Sequence, residues 1–133
     1  MSMNENFYTI TIKVDNEAID DLNHVNNIYY LNWIQKISGL HWKKISSENV
    51  FSKYVWVVLR HEIDYISAAL LNDVLTVKTW IGESYGVKSE RFVEIKKDDK
   101  TIVKAKTIWC LLDRKTMKPV RIPSEVLEIL TSN

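Results

Sequence analysis

The sequence contains few residues that can cross-link the chain or change its backbone flexibility: one cysteine, three glycines and two prolines among 133 residues. A single cysteine, Cys110, cannot form an intramolecular disulfide or supply a cysteine-rich zinc site. So few glycines and prolines argue against flexible linkers and against an array of tight glycine turns.

An excess of charge and a long apolar run are also missing. Lys and Arg number 18 against 17 Asp and Glu, whereas nucleic-acid and membrane-surface proteins usually carry a basic excess. The longest strongly apolar run, residues 55–59, is far shorter than the roughly 20 residues that cross a bilayer. Residues 1–6 do not resemble a secretory signal. We therefore expect a cytoplasmic protein with no nucleic-acid or membrane partner.

The composition and the order of elements predict one α+β domain over residues 1–133. Hydrophobic residues make up 46% and charged residues 26%, which excludes a disordered chain. Residues 7–14 alternate as a half-buried strand, and residues 26–38 have helical apolar spacing, with Gly39 as the C-terminal cap. Residues 41–52 are a weaker helical or irregular connection. Further strands are predicted at 54–66, 74–81, 87–96 and 101–113, and a short helix at 123–130.

The long helix is apolar around most of its circumference, which predicts burial on more than one side. A curved antiparallel sheet of five strands can wrap it, but one such sheet leaves apolar surface or an edge uncovered. We therefore expect a second copy of the chain as the cover, in a homodimer or homotetramer.

The segment that enters this helix concentrates polar side chains, with the sequence DDLNHVNN over residues 20–27. A helix N-terminus offers unpaired N–H groups and partial positive charge, which a developing oxyanion needs. A carboxylate just upstream could act on a carbonyl carbon there as nucleophile or general base. Asp and Asn are also the preferred helix N-caps, and a lone histidine is more often structural. From residue types alone, both interpretations stay open.

Asp20, the run HVNN at residues 24–27, Tyr30-Leu31 and Trp33 closely resemble the signature of the hotdog-fold thioesterases. The resemblance is to the 4-hydroxybenzoyl-CoA thioesterase-like acyl-CoA thioesterases, and plant acyl-ACP thioesterases carry a related motif. Residues 62–65 and 72–77 look like that family's second and third strands, so the likeness extends over essentially the whole chain. It implies the hotdog fold, in which a five-stranded antiparallel sheet wraps a long central helix.

Three positions depart from the family pattern. Ala18 stands where many relatives have a second acidic residue, and Asn23 replaces a common glycine. Leu22 occupies the position of a catalytic asparagine in the plant acyl-ACP thioesterases. The last difference favours the bacterial acyl-CoA type.

The resemblance implies roles for the residues at the helix entrance. Asp20 would be the nucleophile or general base, and the backbone N–H near Asn27 would polarise the thioester carbonyl. His24 would complete the catalytic set, and both His24 and Asn26 would orient the loop and the carboxylate. The candidates for substrate contact, at the seam between two subunits, are Asn26, Tyr30, Arg60, His61, Lys88, Ser89 and Arg91.

The implied activity is hydrolysis of an acyl-CoA, a small-molecule substrate, to the free acid and CoA without metal or cofactor. His24, His41 and His61 lack metal-ligand spacing, so no metal site is predicted. Two alternatives stay open: a non-catalytic acyl-CoA-binding or regulatory hotdog module, because fold does not guarantee activity, and an acyl-ACP thioesterase.

Overall fold

A computed structural model describes residues 6–133 of the chain. Its strands and α-helices are β1 (Tyr8–Lys13), α1 (Asn27–Ile45), α2 (Glu48–Lys53), β2 (Tyr54–Tyr65), β3 (Val74–Tyr85), β4 (Lys88–Lys97), β5 (Lys100–Asp113) and α3 (Ser124–Ser132). None of the helices in this range combines the length and apolar character that a bilayer crossing requires.

The five strands form one antiparallel sheet in the order β1-β3-β4-β5-β2. Strands β3, β4 and β5 follow one another as a meander, and the two edge strands come from earlier in the chain. Helix α1 covers one face, where Tyr30, Ile34 and Ile37 pack in one core cluster with residues of β3, β4 and β5. This is the predicted hotdog arrangement of five antiparallel strands, a long helix and a short C-terminal helix.

Alternating side chains explain why the strands present one apolar face to α1. Leu75 and Val77 on β3, and Val93 and Ile95 on β4, are buried, while their neighbours along each strand are more exposed. The hairpin predicted around residues 97–100 is present, because Lys97 pairs with Lys100 across a turn in which Asp98 has φ 54°. Aspartate tolerates this left-handed backbone better than most residues.

Helix α1 continues to Ile45, so the prediction that Gly39 caps it was wrong. Gly39 lies inside the helix because the apolar spacing resumes after it, and Trp42 is buried in a second core cluster with residues of α2, β5 and α3. An interior glycine costs about 1 kcal/mol, less than the about 3–5 kcal/mol associated with removing a buried large aromatic. The helix ends at Ser46, whose N–H and hydroxyl both donate to the Trp42 carbonyl. Residues 48–53 form helix α2 rather than an irregular connection.

Strand β3 also continues past its predicted end at Ile81. Gly82 does not break the strand; it allows close approach, because a Cβ built there would lie 2.6 Å from Cε2 of Phe92. The pairing register shifts between Ile81 and Ser84, so the glycine sits at an irregularity in the sheet.

Within one chain α1 is buried on one side only, not on most of its circumference. Its buried residues recur at helical spacing, while Ile28 is 56% exposed and Leu40 is 38% exposed. These apolar residues are left uncovered by the rest of residues 6–133.

Candidate active site

The segment before α1 folds as a small hairpin. Asp20 N–H donates to the His24 carbonyl at 2.8 Å, and Asn26 N–H donates to the Ala18 carbonyl at 2.8 Å. The chain reverses through Asn23, whose φ is 64°. Asparagine populates this left-handed region more readily than most non-glycine residues, so the turn can form without a glycine. The hairpin fixes Asp20 against the residues that begin α1.

The Asp20 carboxylate is half-buried and held through one of its oxygens. Oδ1 accepts the N–H groups of Leu22, at 2.9 Å, and His24, at 3.2 Å. The other oxygen has no hydrogen-bond partner among residues 6–133. A carboxylate oriented in this way keeps one oxygen available to attack a carbon or to take a proton from water.

Helix α1 begins beside this hairpin with an N–H that is not capped. Asn26 is the N-cap, and its side-chain oxygen accepts the N–H of Ile28 at 3.1 Å. The N–H of Asn27 has no acceptor among the described residues. Unpaired N–H groups at a helix start carry partial positive charge and can stabilise an oxyanion.

Of the other residues predicted near this end of α1, His24 is exposed and Tyr30 is buried. The Tyr30 hydroxyl accepts the N–H of Ala69 at 2.8 Å, which ties the β2–β3 connection to the helix. Burial raises the pKa of the Tyr30 hydroxyl. Its ring also lies 5.7 Å from that of Tyr65, between centroids.

The other predicted residues lie elsewhere, and three of them belong to a row of polar side chains between sheet and helix. Arg91 pairs with Thr107 in the β4–β5 register, and Thr107 pairs with His61 on β2. His61 Nδ1 lies 2.8 Å from Thr107 Oγ1 and its Nε2 lies 3.3 Å from Gln35 Nε2 on α1. Burial lowers the pKa of His61.

Arg91 is buried, and its Nη1 donates to His41 Nδ1 at 2.8 Å and to Thr79 Oγ1 at 3.2 Å. Ser89 is buried beside it on β4, with Oγ 2.9 Å from Ser84 Oγ. We call the buried polar and charged residues of the described chain the buried polar band: Ser38, His41, Thr79, Ser89, Arg91 and Thr107.

The structure therefore brings together some of the predicted residues and separates others. Asp20, His24, Asn26 and Asn27 meet at the start of α1. Ser38 and His41, the helical members of the buried polar band, come 11 and 14 residues after Asn27, which is about 17–21 Å along the axis.

Two further predicted residues lie at the surface. Arg60 is exposed and pairs with Glu62 at 3.7 Å, and Lys88 is exposed at the start of β4. Within one chain, neither these residues nor Arg91 adjoins Asp20.

Sequence reasoning missed Thr79, Thr107 and the bond between His41 and Arg91. A signal existed, because Arg91 is in phase with the apolar Val93 and Ile95 on β4, so strand alternation turns its side chain inward. A cation at an inward position requires polar neighbours, and Thr107 is in register with it on the adjacent strand. The helical partner His41 could not be inferred, since the sequence pattern predicts that α1 ends before it.

Residues 6–133 hold no group of three or more His, Cys, Asp or Glu side chains arranged to share a metal ion. The start of α1 combines a carboxylate held by two backbone N–H groups with a helix N-terminal N–H that has no acceptor among the described residues.

Comparison with known proteins finds thioesterases among those similar to this chain. The chain is 24% identical over 126 residues to the long-chain acyl-CoA thioesterase FadM of Escherichia coli, covering 90% of this chain and 93% of that protein. It is 27% identical over 84 residues to a chloroplastic palmitoyl-acyl carrier protein thioesterase of Arabidopsis thaliana, covering 61% of this chain. The aligned part spans only 20% of that plant enzyme's length.

A solved structure shares the fold: a thioesterase of Thermus thermophilus complexed with coenzyme A and Zn superimposes with a TM-score of 0.83 at 20% identity, covering 93% of this chain and 91% of that one. Residues 4–130 match the family described as the acyl-ACP thioesterase N-terminal domain. The chain therefore belongs to this family of hotdog-fold thioesterase domains.

Proposed function

We propose that the protein hydrolyses acyl-CoA thioesters to the free acid and CoA, with Asp20 as the essential carboxylate. One observation carries the proposal: Asp20 is held by the N–H groups of Leu22 and His24 with one oxygen unbonded among the described residues, in the hairpin leading to the uncapped N–H of Asn27. The reaction needs water as its other reactant and no metal or cofactor.

Two routes are consistent with this arrangement. As a general base, Asp20 takes a proton from water, the oxygen attacks the thioester carbon, and the C–S bond breaks to release CoA as the thiol after protonation. As a nucleophile, Asp20 itself attacks, CoA leaves, and water hydrolyses the resulting mixed anhydride. In both, the carbonyl oxygen becomes negative and the N–H of Asn27 stabilises it.

Asn26 keeps the helix start in place as N-cap, and His24 contributes through its backbone to the Asp20 loop. We propose that the substrate site is completed by contacts between two copies of the chain, since all the remaining candidates except Tyr30 lie apart from Asp20 in one. The candidates for contact with the CoA moiety or the acyl group are Tyr30, Arg60, His61, Lys88, Ser89 and Arg91.

CoA is proposed as the carrier because FadM, which aligns with nearly its whole length, is an acyl-CoA thioesterase, and because Leu22 replaces the plant enzymes' asparagine. The family match and the plant relative favour the alternative, an acyl-ACP substrate. Membership of the 4-hydroxybenzoyl-CoA thioesterase-like group and a cytoplasmic location are part of the same proposal. A non-catalytic acyl-CoA-binding module is the alternative of a different class.

The deciding experiment is the substitution Asp20→Asn. The new carboxamide keeps an oxygen that accepts the two N–H groups of the loop, so the fold should survive, but it cannot act as base or carboxylate nucleophile. We expect thiol release from acyl-CoAs to fall by about 10²–10⁴. A stable Asp20→Asn protein with near-normal turnover would refute the assignment.

The matched control is Asp21→Asn, which removes the same charge from the exposed neighbouring position and should leave turnover nearly unchanged. Parallel assays with one acyl chain on CoA and on acyl carrier protein test the carrier. Tight acyl-CoA binding without thiol release by the wild type would support the non-catalytic module instead.

A further inference from the structure

A buried cation in this protein has no counter-charge among the described residues. Arg91 is 6% exposed and forms no ion pair within residues 6–133; its partners are His41 and Thr79, both through Nη1. Because arginine only donates, His41 Nδ1 must be the acceptor, so the imidazole is neutral. Burial of a guanidinium without an anion is unfavourable unless its remaining N–H groups find acceptors.

Arg91 is also one of the residues that line a cavity. The cavity has a volume of about 230 Å³ and lies between the C-terminal half of α1, α2, α3 and strands β2, β4 and β5. Its walls are largely aromatic, with Trp42, Trp56 and Trp109 among them. It is half again as large as a cavity of roughly 150 Å³ that binds benzene, so it has room for about nine non-hydrogen atoms.

Every charged residue that lines this cavity is cationic. Lys43 and Arg114 are exposed and therefore lie towards its opening, whereas Arg91 is buried. Arg114 is fixed by donating to the carbonyls of Phe51 and Tyr54. An apolar wall with a cationic lining suits an anion that has an apolar body.

The wall of the same cavity contains a second donor without a partner. The indole Nε1–H of Trp109 is buried and has no hydrogen-bond partner among the described residues, and Trp109 is a lining residue. Buried indole N–H groups usually find a partner. The residues around the cavity therefore include two unsatisfied donors, this indole and the guanidinium of Arg91.

We propose that this cavity binds a small carboxylate with a compact apolar body, such as an aromatic acid or a medium-chain fatty acid, with its carboxylate oxygens at Arg91. The aromatic walls take the apolar body, and the cationic lining selects against neutral molecules of the same shape. Within one chain the site lies near the other end of α1 from Asp20, and binding of the acid there does not require hydrolysis.

Isothermal titration calorimetry and tryptophan fluorescence, which three lining tryptophans make sensitive, measure binding directly. The probes are benzoate and octanoate, their neutral amides, and inorganic phosphate. We expect saturable one-to-one binding of at least one carboxylate, binding of its amide at least tenfold weaker, and no saturable response to phosphate. Equal affinity for acid and amide, no binding of either carboxylate, or competition by phosphate would overturn the proposal.

Variants assign the binding to this cavity. Arg91→Gln should weaken carboxylate binding at least tenfold, whereas Lys44→Gln, which removes an exposed cation outside the cavity lining, should not. If Arg91→Gln fails to fold, two other variants test the site. Val55→Phe fills the cavity from β2, and Trp109→Phe removes the unpaired N–H. Unchanged carboxylate affinity in both variants refutes the site. Asp20→Asn should bind the carboxylate as the wild type does, so this result is independent of catalysis.

Discussion

At the scale of single residues, Asp20 is held by its own neighbours in the chain, because the N–H groups of Leu22 and His24 donate to its carboxylate. Its candidacy follows from its spacing to the motif before the helix. Arg91 is predicted as a contact to substrate at the subunit seam, yet it is buried against His41. Local spacing predicts the position of Asp20, because its hairpin and the helix are contiguous in the chain. The environment of Arg91 depends instead on how far the helix extends over the sheet.

The buried imidazole of His41 makes stability depend on pH. Burial, together with the nearby charges of Arg91 and Lys44, lowers the pKa of His41 from 6.5 to about 4. Between these values the unfolded chain binds a proton that the folded protein excludes, so stability is lost as pH falls through this window. For a side chain only 4% exposed, the full effect is about 3 kcal/mol.

We expect His41→Gln, which retains an acceptor for Arg91 but cannot be protonated, to lose less stability than the wild type between about pH 7 and pH 4.5. Denaturant unfolding at a series of pH values measures the difference. His24→Gln, at an exposed position, is the control. Parallel pH profiles for wild type and His41→Gln would show that His41 is not the group responsible.

At the scale of elements, the type and order of the helices and strands were predictable from the sequence, but the residues at which they end were not. Strand alternation and the turn at Asp98 follow from local pattern, so the β4–β5 hairpin was predicted within about a residue of its observed bounds. Gly39, predicted to cap the helix, lies within α1, and Gly82, which directly follows the predicted end of the strand at residue 81, lies within β3. A glycine permits a helix or strand to end but does not require it. Whether the element continues depends on packing with residues distant in sequence, here around Trp42 for α1 and Phe92 for β3.

These two glycines should respond oppositely to alanine. A Cβ at Gly39 meets nothing within 4 Å, so Gly39→Ala should raise the free energy of unfolding by about 0.5–1 kcal/mol through helix propensity. In Gly82→Ala the new methyl group pushes against the Phe92 ring, which stacks on Trp80. This substitution should lower the free energy of unfolding by about 1–3 kcal/mol. Urea unfolding measures both, and a stabilising Gly82→Ala would contradict the close approach.

At the scale of the whole molecule, the edge strand β2 is the surface that a second copy would cover. It is 12 residues long, against 6 for the other edge strand, β1. Leu59, beside a shift in the pairing register, is 52% exposed, and Tyr65 and Ile66 are exposed at its far end. Long apolar edges invite pairing with another chain. On β1 the exposed side chains within the strand are polar, Thr9, Thr11 and Lys13.

We therefore expect a homodimer or larger assembly in solution, with a mass by light scattering of at least twice the 15.6 kDa of the chain. Leu59→Lys should shift it towards monomer, because a charge opposes burial of that edge. Thr11→Lys introduces the same side chain at the other edge and should leave the assembly intact. A monomeric wild type, or dissociation by Thr11→Lys alone, would contradict assembly through β2.

The order of the strands has a consequence for how the chain is made. Both edges are synthesised before their partners: β1 pairs with β3, and β2 pairs with β5. As a ribosome releases the chain from its N-terminus, α1 and β2 emerge with no sheet to cover them. The meander β3–β4–β5 closes through short, local connections, which form fastest. The first half of the chain is therefore not protected from aggregation until β3, β4 and β5 have been synthesised.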